Sequence, residues 1–239
     1  MQQDFADDWT QRWARLNQRL EAACAASGRD PRSVNVLAVS KTHPAQAVRQ
    51  AHAVGINAFG ENYVQEALAK IDALKDLRSQ LQWHFIGPLQ SNKTRSVAEA
   101  FDWVHSVDRL KIAQRLSQQR PPGLADLNVC LQVNISGEDS KSGLPPADVL
   151  SVAAAVSRMP GLRLRGLMAI PQPETDLQAQ RLPHRRLRAL FEQVCDSGVA
   201  LDTLSMGMSA DLEAAIAEGA TWVRVGTALF GQRQRPEGA

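Results

Sequence analysis

Between residues 7 and 26, apolar side chains recur every three or four positions. Trp9, Trp13, Leu16, Leu20 and Cys24 give the spacing of an amphipathic helix, which Gly28 and Pro31 close. The period then changes. Val34 to Val39 is a short, β-branched apolar run of the kind found in strands covered on both faces. Seven further runs read as strands: Ala58 to Gly60, Trp83 to Gly87, Phe101 to His105, Val129 to Ile135, Leu162 to Ile170, Leu201 to Ser205 and Trp222 to Val225. Helix-period segments separate them. One carries Val64, Leu68, Ile71 and Leu74, and another starts near Ser91. A third carries Leu110, Ala113 and Leu116 and ends before Pro121-Pro122-Gly123. Val149, Leu150, Ala153 and Val156 mark the next, stopped by Pro160-Gly161. Leu187, Leu190, Phe191 and Val194 mark another, and Ala210 to Glu218 a short last one.

Strands that alternate with helices build parallel sheets. Eight such units in 239 residues have the size of a (β/α)8 TIM barrel, typically ~250 residues in one domain. The leading helix is an extra element, expected to close the bottom of the barrel. An open doubly wound sheet is the competing architecture, but no G-x-G-x-x-G follows the first strand. No Pro/Ser/Gly-rich linker divides the chain and no repeat is visible. The expectation is one domain over 1–239, with the helix at about 7–26 and the barrel at about 34–231.

Composition narrows the class. Hydrophobic residues make up 44% and charged residues 22%, values of a globular chain able to bury a core without disulfides or structural metal. Lys+Arg number 27 against 25 Asp+Glu, a net charge of +2, which argues against a dedicated nucleic-acid or membrane-surface protein. Cys24, Cys130 and Cys195 have neither disulfide-framework nor zinc spacing, so no metal site is expected and a reducing cytoplasm fits. The first ten residues carry Asp4, Asp7 and Asp8 and lack a signal peptide's apolar core. No run approaches the ~18 apolar residues of a membrane span.

In a barrel, reactive residues belong at the C-terminal strand ends. The first strand ends at Ser40-Lys41-Thr42, with Lys41 on the same face as Leu37 and Val39. A partly desolvated lysine there is a good nucleophile toward aldehydes; a lysine that only snorkels to solvent fits the position too. The seventh strand leads through Ser205, Gly207 and Ser209 into a helix N-terminus, where free N–H groups favour an anion. Simple capping, with Ser209 as N-cap and Asp211 and Glu213 in the first turn, accounts for Ser209 but requires neither Ser205 nor Gly207. The eighth strand supplies Gly226 and Thr227, and its Trp222, Arg224 and Gly226 share one face. An inward Arg224 would lie near the barrel axis; an outward one would pair with a helix carboxylate. Loops after strands seven and eight often form a phosphate site. An amine and a phosphate cup suit pyridoxal 5′-phosphate, and suit a sugar-phosphate aldolase almost as well. Asn62 is placed to orient a ring substituent, and His84 is either a general base or a packed core histidine. Lys141, in the loop from Asn134 to Gly143, is a second rim lysine or a solvated one. There is no H-E-x-x-H, Walker loop or G-x-S-x-G.

Seven blocks in order resemble the pyridoxal phosphate homeostasis protein family, a proline synthase co-transcribed, alanine racemase N-terminal-like group. They are Leu37 to Thr42, Phe59 to Tyr63, Trp83 to Lys93, Asp139 to Gly143, Gly166 to Pro171, Ser205 to Ser209 and Arg224 to Gly231. The resemblance implies an alanine racemase N-terminal-like barrel with pyridoxal 5′-phosphate held as an aldimine on Lys41. It implies Asn62, Met168, Ser205, Gly207, Ser209, Gly226 and Thr227 around the cofactor, and Arg224 facing the pyridine nitrogen. Lys141 would move the cofactor on or off. It further implies a buffer and donor of the cofactor in vitamin B6 and amino-acid/keto-acid homeostasis. On that reading there is no catalytic residue, apo pyridoxal-phosphate enzymes are partners, and the chain is a monomer or weak homodimer. The alternative is an amino-acid racemase of low activity. Racemisation needs two acid/base groups on opposite faces of the cofactor, and an arginine at the ring nitrogen weakens the electron sink. Alanine racemase takes its second base from a partner's β-domain, and this chain is expected to lack that domain. Two features depart from the family: the Arg-rich segment from Gln178 to Arg188, with Pro183 where a helix would start, and the short polar tail from Gln232.

Overall fold

The apolar runs pair side by side into one closed barrel. The computed structural model describes residues 2–137 and 142–231, and side chains from residue 8 onward. The strands are β1 (Asn35–Val39), β2 (Ala58–Glu61), β3 (Gln82–Phe85), β4 (Trp103–Val107), β5 (Leu127–Gln132), β6 (Leu162–Met168), β7 (Thr203–Met208) and β8 (Trp222–Val225). Each pairs in parallel with the next, and β8 pairs with β1. This is the expected (β/α)8 barrel.

The helices are α1 (Gln2–Ala26), α2 (Ala45–Ala53), α3 (Val64–Ala73), α4 (Thr94–Ala100), α5 (Leu110–Gln119), α6 (Val149–Val156), α7 (Leu177–Asp196), α8 (Leu212–Ala217) and α9 (Thr227–Phe230). The outward strand face, with Ala38, Phe59, Phe85, Val104, Leu131 and Val223, packs under these helices as the main core. The inward face carries two small apolar clusters, Leu37, Ala58 and Ile86, and Trp103, Cys130 and Met168. Between strands that are not neighbours, His84 meets Trp222 and His105 meets Ser205, so these side chains cross the barrel interior.

Three elements differ from the sequence pattern. First, α1 does not close the bottom. It packs against α8, α9 and α2, with Trp9 edge-on to Phe230 at 5.1 Å and Arg19 Nη2 donating to Glu213 at 2.6 Å. With only four residues in α9, α1 packs between α8 and α2 where a full eighth helix would stand. Second, α7 starts at Leu177 and runs through Pro183. Asp176 caps it by accepting the Ala179 N–H at 2.9 Å, and burial of His184, Leu187, Leu190 and Val194 outweighs the one bond the proline removes. Third, the buried face of α3 carries Val64, Ala67 and Lys70, while Leu68 and Ile71 are only partly covered. No described helix is long and apolar enough to cross a membrane.

Candidate functional site

The end of β1 is held from below. Ser40 and Glu61 are fully buried, and Lys70 nearly so. Lys70 Nζ uses its three donors on Ser40 O at 2.7 Å, Glu61 Oε1 at 2.7 Å and Glu66 Oε1 at 2.6 Å. Ser40 Oγ also donates to Glu61 Oε1, at 2.6 Å, and the Thr42 N–H donates to Glu66 Oε1 at 2.6 Å. Burial pushes the Glu61 carboxyl up from its ordinary range, with Lys70 and Ser40 opposing the shift. Thr42 sits at φ 67°, a left-handed conformation that a β-branched residue adopts only under constraint. The network fixes the backbone on both sides of Lys41 and presents that lysine, half-buried, at the barrel mouth.

Lys41 lines a cleft of about 300 Å³. Asn62, Ser209, Arg224, Gly226 and Thr227 complete its polar wall; Val39, Ile86, Ile170 and Met208 form the apolar part. Asn62 Oδ1 is buried without a hydrogen-bond partner. A glycine is required behind it, because a Cβ at Gly87 would stand 2.2 Å from the Asn62 carbonyl oxygen. The first turn of α9 leaves the N–H groups of Thr227 and Ala228 without intrahelical partners at the cleft edge. A second lobe of about 290 Å³ shares Asn62, Ile86 and Ile170 and extends to Gln132, Asn134 and Ser142.

Arg224 faces inward. Its Nη1 donates to Ser205 O at 2.6 Å and Ser205 Oγ at 2.9 Å, and its Nη2 to Ala169 O at 2.8 Å. Burial lowers its pKa to about 10, so it stays a cation at neutral pH.

Ser205, Gly207 and Met168 do not line the cleft. Period-two alternation puts Ser205, Gly207 and Ser209 on one face, but β7 bulges: Ser205 pairs with Trp222 and Met208 with Arg224, three steps against two. Ser205 is buried under Arg224, where its Oγ also meets His105 Nδ1 at 2.8 Å. Gly207, at φ 88°, turns toward α8; a Cβ there would lie 2.4 Å from Ala215 Cβ. Met168 is buried with Trp103 and Cys130. Ser209 is not an N-cap either. Asp211 holds the turn by accepting the Met208 N–H at 2.7 Å, and bonds His184 Nε2 at 2.9 Å. Burial alone would raise the Asp211 carboxyl; the bonds from His184 and Met208 outweigh it and hold it below its ordinary value. Lys141 lies outside the described residues.

His84 is a packed histidine, fully buried, with Nδ1 2.9 Å from His105 Nε2. His105 was missed by sequence reasoning, although its alternation with Trp103 marks it as inward-facing. His184 and Lys70 carried no sequence signal beyond a polar residue on a helix. Among the described residues no group of three or more His, Cys, Asp or Glu could hold a metal ion.

A closed parallel barrel with a lysine, an inward arginine and hydroxyls converging at its C-terminal mouth defines a class, and residues 13–234 match the family model described as alanine racemase, N-terminal domain. Two curated relatives narrow it. The pyridoxal phosphate homeostasis protein of Pseudomonas aeruginosa is 64% identical over 220 residues, 92% of this chain and 94% of that protein. That of Escherichia coli K12 is 52% identical over 221 residues, again 92% and 94%. PipY of Synechococcus elongatus PCC7942, solved with PLP bound, superposes with a TM-score of 0.82 at 40% identity, covering 93% of this chain and 100% of that one. The chain belongs to the alanine racemase N-terminal domain family and, within it, to the pyridoxal phosphate homeostasis proteins.

Proposed function

We propose that this protein binds pyridoxal 5′-phosphate in the cleft between β1, β7 and β8, and that it holds and delivers the cofactor in vitamin B6 homeostasis without turnover of its own. The observation that carries the reading is the convergence of Lys41, Asn62, Arg224, Ser209, Gly226 and Thr227 on one cleft of about 300 Å³. The donor set suits the molecule. A half-buried amine suits an aldehyde, and hydroxyls beside the first-turn N–H groups of a helix suit a phosphate. Arginine, which only donates, suits an unprotonated ring nitrogen, and the unpartnered Asn62 oxygen suits a ring hydroxyl. When bound, the cofactor supplies an electrophilic carbonyl. Lys41 is then the residue that holds it covalently, with Ser209, Gly226 and Thr227 around its phosphate and Arg224 at its ring. Ser205, Gly207 and Met168 act from behind the wall. Lys141 keeps the role its sequence block implies, a second amine that helps release.

The relatives named as homeostasis proteins and the structure of PipY with PLP bound support this reading. A racemase is less well supported. Among the described residues lining the cleft, Lys41 and Arg224 are the only ionisable side chains, and an arginine does not exchange protons in the way a second base must. Three unpaired cysteines fit action in the reducing cytoplasm, with apo-enzymes as recipients.

The test is borohydride reduction with peptide mapping. Wild type should carry the reduced cofactor on Lys41. Lys41→Ala should fold, bind the cofactor more weakly and carry none covalently. Label on another lysine in wild type would overturn the assignment, and L-alanine racemised faster than by free cofactor would favour the enzyme.

A further inference from the structure

A hydrogen-bonded chain crosses the barrel interior beneath the cleft. It runs from Arg224 Nη1 to Ser205 Oγ at 2.9 Å, from Ser205 Oγ to His105 Nδ1 at 2.8 Å, and from His105 Nε2 to His84 Nδ1 at 2.9 Å. All four side chains are buried.

The arginine and the count of unpaired groups together set the direction of every proton. A guanidinium only donates, so Ser205 Oγ accepts from Arg224, and its own proton then finds its acceptor in His105 Nδ1. His105 Nδ1 is therefore bare. Its ring proton sits on Nε2 and is donated to His84 Nδ1. His84 in turn is protonated on Nε2, which is buried without a hydrogen-bond partner, against Trp103 and Trp222. The opposite polarity has His84 donate to His105 and His105 to Ser205. It leaves two orphans, a bare His84 Nε2 and a Ser205 hydroxyl proton with no acceptor. One buried orphan is less costly than two.

We infer that Ser205, His105 and His84 form a one-way positioning chain that keeps a Ser205 lone pair turned to Arg224 and so fixes how the remaining guanidinium donors face the cleft. The inference rests on the reading of Arg224 as the group at the cofactor ring. Both Nη1 hydrogens are spent on Ser205 and one Nη2 hydrogen on Ala169, which leaves Nε and the second Nη2 hydrogen. A proton added to His105 must land on Nδ1, where it would donate to Ser205 Oγ and leave the serine proton without the acceptor it has now. The charged and titratable groups around the chain are Arg224 on β8, Cys130 on β5, Arg165 on β6 over Trp103 with its ion-pair partner Asp202, and Asp211 beyond β7. Burial first, and then the Arg224 charge for His105, keep both imidazoles neutral.

Nitrogen-15 NMR of the cofactor-free protein tests the polarity. Both imidazoles should be Nε2–H tautomers that do not titrate between about pH 5 and 9. An Nδ1–H tautomer at His105, or titration near about 6.5, would overturn the inference. The second arm compares His105→Leu with His105→Asn, whose side-chain oxygen can accept from Ser205, using pyridoxal 5′-phosphate as probe. The leucine variant should raise Kd about fivefold, as for one lost hydrogen bond, and displace the absorption maximum of the bound probe. The asparagine variant should restore both. Wild-type affinity and an unchanged maximum in a folded leucine variant would sink the positioning role. Failure of wild type to bind the probe would instead sink the cofactor reading, and the role toward the ring with it, whichever tautomers are found.

Discussion

Arg224 and Ser209 show how little of a side chain's role lies in its identity. Arg224 is a buried cation at the floor of a cleft because Ser205 and Ala169 accept three of its hydrogens. Ser209 lines the cleft, while Asp211, two residues on, holds the turn. This division makes a selective test possible. Ser209→Ala with Thr227→Val should remove the two hydroxyls that the proposed binding mode assigns to the phosphate. Hydrogen bonds to a charged group are worth roughly 1.5–3 kcal/mol each, so affinity for pyridoxal 5′-phosphate should fall by about 100-fold or more. Affinity for pyridoxal should change little. Equilibrium dialysis of both ligands decides it, and equal losses would place the phosphate elsewhere.

At the scale of elements, the β1–α2 turn depends on α3. Lys70 reaches from that helix to the Ser40 carbonyl and to both Glu61 and Glu66, and Thr42 is held left-handed beside them. A buried ion pair is weak evidence for net stability, but removal of one partner leaves an uncompensated charge and costs about 3–5 kcal/mol. Lys70→Met should therefore lower stability by about that amount in urea titrations and reduce the yield of borohydride-trapped Lys41. Adding Glu61→Gln should recover part of the stability without restoring the trapping yield. Full additivity of the two substitutions would show that the pair is not coupled.

For the whole molecule, the polar chain in the barrel couples stability to pH. His84 and His105 are buried and neutral when folded, with His105 lowered to about 3 by burial first and by Arg224 second. When unfolded, both take up protons below about pH 6.5. The unfolded state then binds more protons, so stability is complete above about 6.5 and falls with pH below it, by up to about 1.4 kcal/mol per unit for each histidine. The urea midpoint should drop steeply from pH 7 to pH 5, and less steeply in His105→Asn. A flat midpoint over that range would show that these histidines charge in the folded state.

The chain by itself determined the strand count and the helix alternation, and it placed Lys41, Asn62, Ser209, Gly226 and Thr227 at strand ends while leaving the direction of Arg224 open. These are legible because strand period and strand-end position are local properties. Tertiary structure decided the rest. The bulge in β7 sent Ser205 under Arg224 and Gly207 toward Ala215, which simple alternation could not anticipate. Packing of α1 beside α8 and α9 set its place, and burial carried α7 through Pro183. Lys70 and His105 came into the design only on closure of the barrel, since Lys70 bonds groups nine and thirty residues away as well as Glu66 on its own helix, and the partners of His105 are twenty-one and a hundred residues away. Which polar groups share a buried hydrogen bond depends on contacts that close in space, and no periodicity along the chain records them.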